Sequence, residues 1–144
     1  MIEDDTIKLM RECDAGIKMG VSSIDEVLEY IGNDRFREIL VKSRNENIEL
    51  ADELEKLLEK YHDEGKEPNV MAKGMSWVKT NVMLAMNDSD NTIADLMTEG
   101  CSMGVKSLSK YLNQYQAADE KSKDIAKRLI KLEEKLADDI KPYL

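Results

Sequence analysis

The stretch Gly16-Ile17-Lys18-Met19-Gly20-Val21-Ser22-Ser23-Ile24 recurs as Gly100-Cys101-Ser102-Met103-Gly104-Val105-Lys106-Ser107-Leu108. Gly, Met, Gly, Val and Ser hold the same positions in both copies, and Ile24 is matched by Leu108. Each copy opens a region with the periodicity of a helical hairpin. The chain therefore reads as two copies of one helix pair.

Outward from the first copy, Ile7, Met10, Cys13, Ile17, Val21, Ile24, Leu28 and Ile31 recur at spacings of three and four. That is the apolar stripe of an amphipathic helix over Thr6 to Ile31. Asp4 and Asp5 are candidate caps for its start, and Gly32 is its expected stop. A second helix is expected from Asp34 to Asp63. Its seam is Leu40, Ser43, Asn47, Leu50, Leu54, Leu57 and Tyr61, with two polar members. Only Gly32, Asn33 and Asp34 separate these helices, so they must be antiparallel neighbours. This sets Ser43 and Asn47 level with Val21 and Ile17, close to Gly16 and Gly20. Glycines there favour close helix packing around one buried amide.

Around the second copy, a helix is expected from Asp90 to Gln116, with Ile93, Met97, Gly100, Gly104, Leu108, Tyr111 and Tyr115 inward. A last helix follows from Asp119 to Lys141, with Ile125, Leu129, Leu132, Leu136 and Ile140 inward, and Pro142 ends it. The turn near Ala117 and Ala118 makes this pair antiparallel too. The organisation is one domain over residues 1–144: hairpin one at 5–64, a crossover at 65–89, and hairpin two at 90–144. The crossover is long enough to run the length of a bundle, so the second and third helices can be parallel. Within it, residues 68–86 carry no acidic side chain, but Met71, Met75, Trp77, Val78, Met83 and Met86. A short extra helix is expected there. Flexible methionines and the single tryptophan suit a contact surface.

Composition narrows the function. Lys plus Arg number 21 against 30 Asp plus Glu, a net charge of −9, which repels nucleic acid and anionic membrane surfaces. No apolar run approaches a membrane span. The acidic start Met1-Ile2-Glu3-Asp4-Asp5 lacks the pattern of a secretion signal, so a cytoplasmic location is expected. Cys13 and Cys101 are the two cysteines. In the copy alignment they match Met97 and Ile17, which points to buried, reduced thiols. If the first and third helices are neighbours, the thiols lie about one turn apart in height.

Two related hairpins joined by a long crossover resemble the ferritin-like superfamily of four-helix bundles. The resemblance covers nearly the whole chain and is architectural. Metal-binding members of that superfamily hold two iron or manganese ions with two Glu and two Glu-x-x-His pairs. This chain has one histidine. Glu59-Lys60-Tyr61-His62 spells the pair once, at a helix end, where Tyr61 inward puts Glu59 and His62 toward solvent. The resemblance further implies a coat or stress-associated role, as in some spore-formers' bundles without a complete metal site.

Other chemistry is sparse. There is no Gly-rich phosphate loop, no Gly-x-Ser-x-Gly and no plausible Cys–His nucleophile pair. Asp14, Lys18 and Arg44 could form a carboxylate with basic neighbours, but a solvated ion-pair face is the commoner outcome. The charge runs Glu49 to Glu59 and Lys121 to Lys135 read as exposed faces. The leading expectation is a non-enzymatic bundle, without a cofactor, that acts by self-association or by binding another protein through the crossover surface. Tyr111, Tyr115 and Tyr143 are possible secondary anchors. A rival is a redox or storage protein with an iron or manganese centre built around Glu12, Glu46 and Glu99. A third class is a small-ligand carrier at Gly16, Gly20, Gly100 and Gly104, which requires a cavity there.

Overall fold

The computed structural model describes residues 2–63, 65 and 89–144. Four helices carry them: α1 (Ile2–Val27), α2 (Asp34–Glu59), α3 (Asp90–Gln114) and α4 (Glu120–Asp139), with 3-10 turns at Leu28–Tyr30 and Lys141–Tyr143. No strand occurs among the described residues. No described helix is long and apolar enough to cross a membrane.

Side chains at the helix ends set the topology. The Asn33 side chain accepts from Phe36 N–H at 2.9 Å and caps α2, while Asp119 accepts from Ser122 N–H at 2.8 Å and caps α4. At one end of the bundle the backbone N–H groups of Gly32 and Asn33 donate to the Asp90 carboxylate, both at 3.0 Å. The start of α3 is thereby tied to the α1–α2 turn. At the other end Ala117 N–H donates to Asp5 at 3.1 Å, and Asp119 N–H to Thr6 Oγ1 at 2.8 Å. The α3–α4 turn is thus tied to the start of α1. It follows that α1 and α4 share one direction, and α2 and α3 the other.

Two local expectations are corrected. Asp4 and Asp5 do not cap α1, which begins at Ile2. Asp5 instead receives the α3–α4 turn. Gly32 is not a left-handed helix stop, because Gly65 is the described glycine with positive φ. α1 tightens into a 3-10 turn, becomes extended at Ile31, and leaves the Gly32 N–H free for Asp90.

The buried stripes keep a spacing of three and four, but on α1 Leu9 and Val27 are buried while the expected Ile7, Val21 and Leu28 are only partly buried. α2 buries Phe36, Leu40, Ser43, Asn47, Leu50, Leu54 and Leu58. Leu58 replaces the expected Leu57 at the last turn, as an ideal helix drifts away from a strict heptad. α1 packs on α2, α3 and α4, and α4 packs on all three others. α1 and α4 therefore approach across the short diagonal, with α2 and α3 at the far corners.

The core has two halves. One contains Ile24, Val27, Phe36, Leu40, Ile93, Met97, Cys101, Leu136 and Ile140. The other contains Leu9, Met10, Cys13, Ile17, Leu50, Leu54, Leu108, Ile125 and Leu129. Cys13 and Cys101 fall in opposite halves and are both free thiols. Between the halves lies a waist lined by Gly16 and Gly20 of α1, Gly100 and Gly104 of α3, Ser43 and Asn47 of α2, and Leu129, Leu132 and Glu133 of α4.

Candidate functional site

The waist holds a cavity of about 400 Å³, a size suited to a small organic ligand. All four helices line it. α1 contributes Gly16, Met19 and Gly20, and α3 contributes Gly100, Met103 and Gly104. These are the matching positions of the two copies. Because α1 and α3 are antiparallel, the copies meet the same space from opposite directions. α2 adds Ser43 and Asn47, and α4 adds Leu129, Leu132, Glu133 and Leu136.

The glycines leave room rather than bring helices together. A Cβ added at Gly16 would make ordinary contact with Leu129 Cδ2 at 3.7 Å, and one at Gly20 would lie 3.9 Å from Asn47 Oδ1. At Gly100 a Cβ would meet nothing within 4 Å. None of the three is forced by close helix approach, which corrects the packing expectation. Gly104 differs. A Cβ there would fall 3.1 Å from Glu133 Cδ and 3.2 Å from its Oε2. The Glu133 carboxyl rests over the bare backbone of α3.

Met19 and Met103 are 39% and 62% exposed although both line the pocket. Large apolar side chains left half in water beside a cavity are adaptable contacts for whatever enters it.

Two polar groups stand out in this apolar setting. Asn47 is 6% exposed. Its Nδ2 donates to the Ser43 carbonyl at 2.8 Å, which fixes the orientation of the amide, and its Oδ1 has no hydrogen-bond partner among the described residues. A buried acceptor left open costs about 1–3 kcal/mol and calls for an explanation. The second group is Glu133. Its side chain keeps partial solvent access through the pocket, while protein atoms crowd around the carboxyl. Burial pushes its pKa up to about 7, and a hydrogen bond with the Cys101 thiol opposes that rise. Burial, then the charge of Glu133, then the hydrogen bond raise the Cys101 thiol well above its ordinary value. Both cysteines are thus held as thiols, Cys13 with a pKa pushed up to about 12 by burial and by Glu12 and Asp14.

The sequence reading placed Glu133 on the exposed face Lys121 to Lys135, and the structure corrects this. Glu133 lies four residues after Leu129 and three before Leu136, so it shares their inward stripe. That spacing was the available signal.

The other candidates do not gather into a centre. Among the described residues no three His, Cys, Asp or Glu side chains are placed to hold a metal ion. Glu12 lines the pocket, Glu46 lies 3.9 Å from Lys135, and Glu99 is exposed. His62 sits in an exposed left-handed turn after α2, with φ of 55°. Asp14 pairs with Lys18 at 2.9 Å, whereas Arg44 turns to Asp25, so the three do not form one cluster. Tyr143 stacks on Phe36 with ring centroids 4.7 Å apart, and Tyr111 on Tyr115 at 6.2 Å. The crossover residues Met71, Met75, Trp77, Val78, Met83 and Met86 lie outside the described residues.

No family model, no curated protein and no solved structure matches the chain.

Proposed function

We propose that this protein is a non-enzymatic binding protein that takes a small, largely apolar molecule into the waist of its helical bundle. The observation that carries this reading is the glycine-walled cavity between two separate core halves, with Asn47 and its unpartnered, buried oxygen in the wall. A bundle built only for stability would place alanine or leucine at Gly16, Gly20 and Gly100, where space permits it. Contact through the crossover, the alternative, rests on residues outside the described ones. A ferritin-like ancestry is supported by the shared direction of α2 and α3, which needs a long crossover, and by the paired nine-residue stretches.

The energetics are sufficient. An eight-carbon chain moved from water into such a site gains roughly 6 kcal/mol at about 0.8 kcal/mol per methylene, before the cost of association. Titration calorimetry with 1-octanol tests the reading. Saturable one-to-one binding is expected, weakened at least about tenfold in Gly20→Leu and Gly100→Leu, whose side chains fill the space. Binding that is absent, or unchanged in both folded variants, removes the proposal.

A further inference from the structure

We propose that the ligand of this pocket is an amphipathic organic amine, its ammonium paired with Glu133 and its apolar body lying between the glycine pairs of α1 and α3. This rests on the pocket reading above and adds the chemical class. Three observations carry it. First, the charged groups on the pocket wall among the described residues are both carboxylates, Glu12 and Glu133, with no Lys, Arg or His among the described lining residues. Second, the side-chain atom of Asn47 left without a partner among the described residues is an acceptor, Oδ1, while its Nδ2 already donates to the Ser43 carbonyl. Third, Glu133 makes no salt bridge with the described residues. Its thiol partner Cys101 supplies one weak hydrogen bond. Among the described residues such a wall carries no cation, and it asks for donors. An ammonium supplies both the charge and several N–H groups, whereas a carboxylate ligand would be repelled and an alcohol would leave Glu133 without a counter-charge. The chain's net charge of −9 draws cations toward the site.

The groups that line the pocket together with Glu133 bear on the pH dependence. Cys101 and Tyr111 come from α3, Glu12 from α1, and the neutral Ser43 and Asn47 from α2. The Cys101 thiol stays protonated near neutrality. Burial holds the Glu133 carboxyl near 7, so it ionises between pH 6 and 8 while an alkylammonium keeps its charge. Amine affinity therefore rises across that interval.

The test compares octylamine, 1-octanol and octanoate by calorimetry at pH 8 on the full chain and on Glu133→Gln, an isosteric change that keeps the fold. Octylamine should bind wild type at least about tenfold more tightly than octanol, and octanoate more weakly than either. In Glu133→Gln octylamine should fall to the octanol level while octanol is undiminished. Equal amine and alcohol affinities in wild type overturn the amine assignment and leave the pocket standing. An amine preference that survives in Glu133→Gln overturns it too, because the acidic surface is then its source. No binding of any of the three probes overturns the pocket reading itself.

Discussion

The Glu133 carboxyl lies directly over the Cα of Gly104, so that a methyl group on Gly104 would come within 3.1 Å of its carboxyl carbon. Gly16 and Gly100 face the same pocket without this restriction. Gly16→Ala and Gly100→Ala should each stabilise the fold by about 0.5–1 kcal/mol, the ordinary gain for alanine inside a helix. Gly104→Ala should gain less, because the carboxyl must shift by a few tenths of an ångström. In a Glu133→Ala background the full gain should return. Urea unfolding of the four variants and the double mutant measures this coupling, and additive effects at Gly104 and Glu133 would contradict the geometry.

Glu133 also predicts a pH dependence. Its pKa in the folded protein, about 7, lies above its ordinary value of 4.5. Between those values the folded state holds a proton that the unfolded state has lost, so stability falls as pH rises through the interval. At about 1.4 kcal/mol per pH unit the ceiling is roughly 3 kcal/mol, lowered by water that reaches the pocket. Glu133→Gln should therefore match wild type near pH 4.5 and gain on it steadily to pH 8. Comparing the two proteins cancels the opposite trend from Asp63 and Glu53. Their hydrogen bonds to Arg11 and Arg128 hold both carboxyls below the usual range, and their stability is lost in acid. A stability difference that does not change with pH would count against the buried carboxyl.

The helices were legible because α1 and α4 carry an apolar spacing of three and four, interrupted on α2 only by Ser43 and Asn47 and on α3 by Gly100 and Gly104, and because α2 and α4 begin at polar caps. The level of Ser43 and Asn47 against Gly16 and Gly20 followed from the short α1–α2 turn alone. What the glycines do was not legible. Whether a glycine lets two backbones touch or leaves a void depends on the distance between helix axes, which distant side chains set. Glu133 was hidden for a related reason. The run Lys131-Leu132-Glu133-Glu134-Lys135 looks solvated in sequence. Only the absence of a side chain on Gly104 makes an inward carboxylate tolerable.

Asn47 carries a stability cost that function would explain. Asn47→Leu removes the unpartnered oxygen and fills part of the cavity, so it should stabilise the fold by about 1 kcal/mol or more and weaken binding of octylamine. Chemical unfolding and calorimetry on the same variant check both. A large loss of stability would show instead that the amide holds the waist together.

Gly65 is fixed by conformation. Its φ is +86°, its N–H donates to Asp63 Oδ1 at 2.9 Å, and a Cβ would collide with Asp14 at 2.2 Å. Gly65→Ala should cost more than about 1 kcal/mol, in contrast to the gain at Gly16. Thermal unfolding separates the two signs.

The most direct measurement is an amide correlation spectrum of nitrogen-15-labelled protein titrated with octylamine at pH 8. Glycine amides resolve well in such spectra, and four of the seven glycines line the pocket. The resonances of Gly16, Gly20, Gly100 and Gly104 should move together along one saturable curve, with Gly32 and Gly65 still. Shifts spread over the acidic outer faces of α2 and α4, with the four pocket glycines unmoved, would contradict a ligand site at the waist.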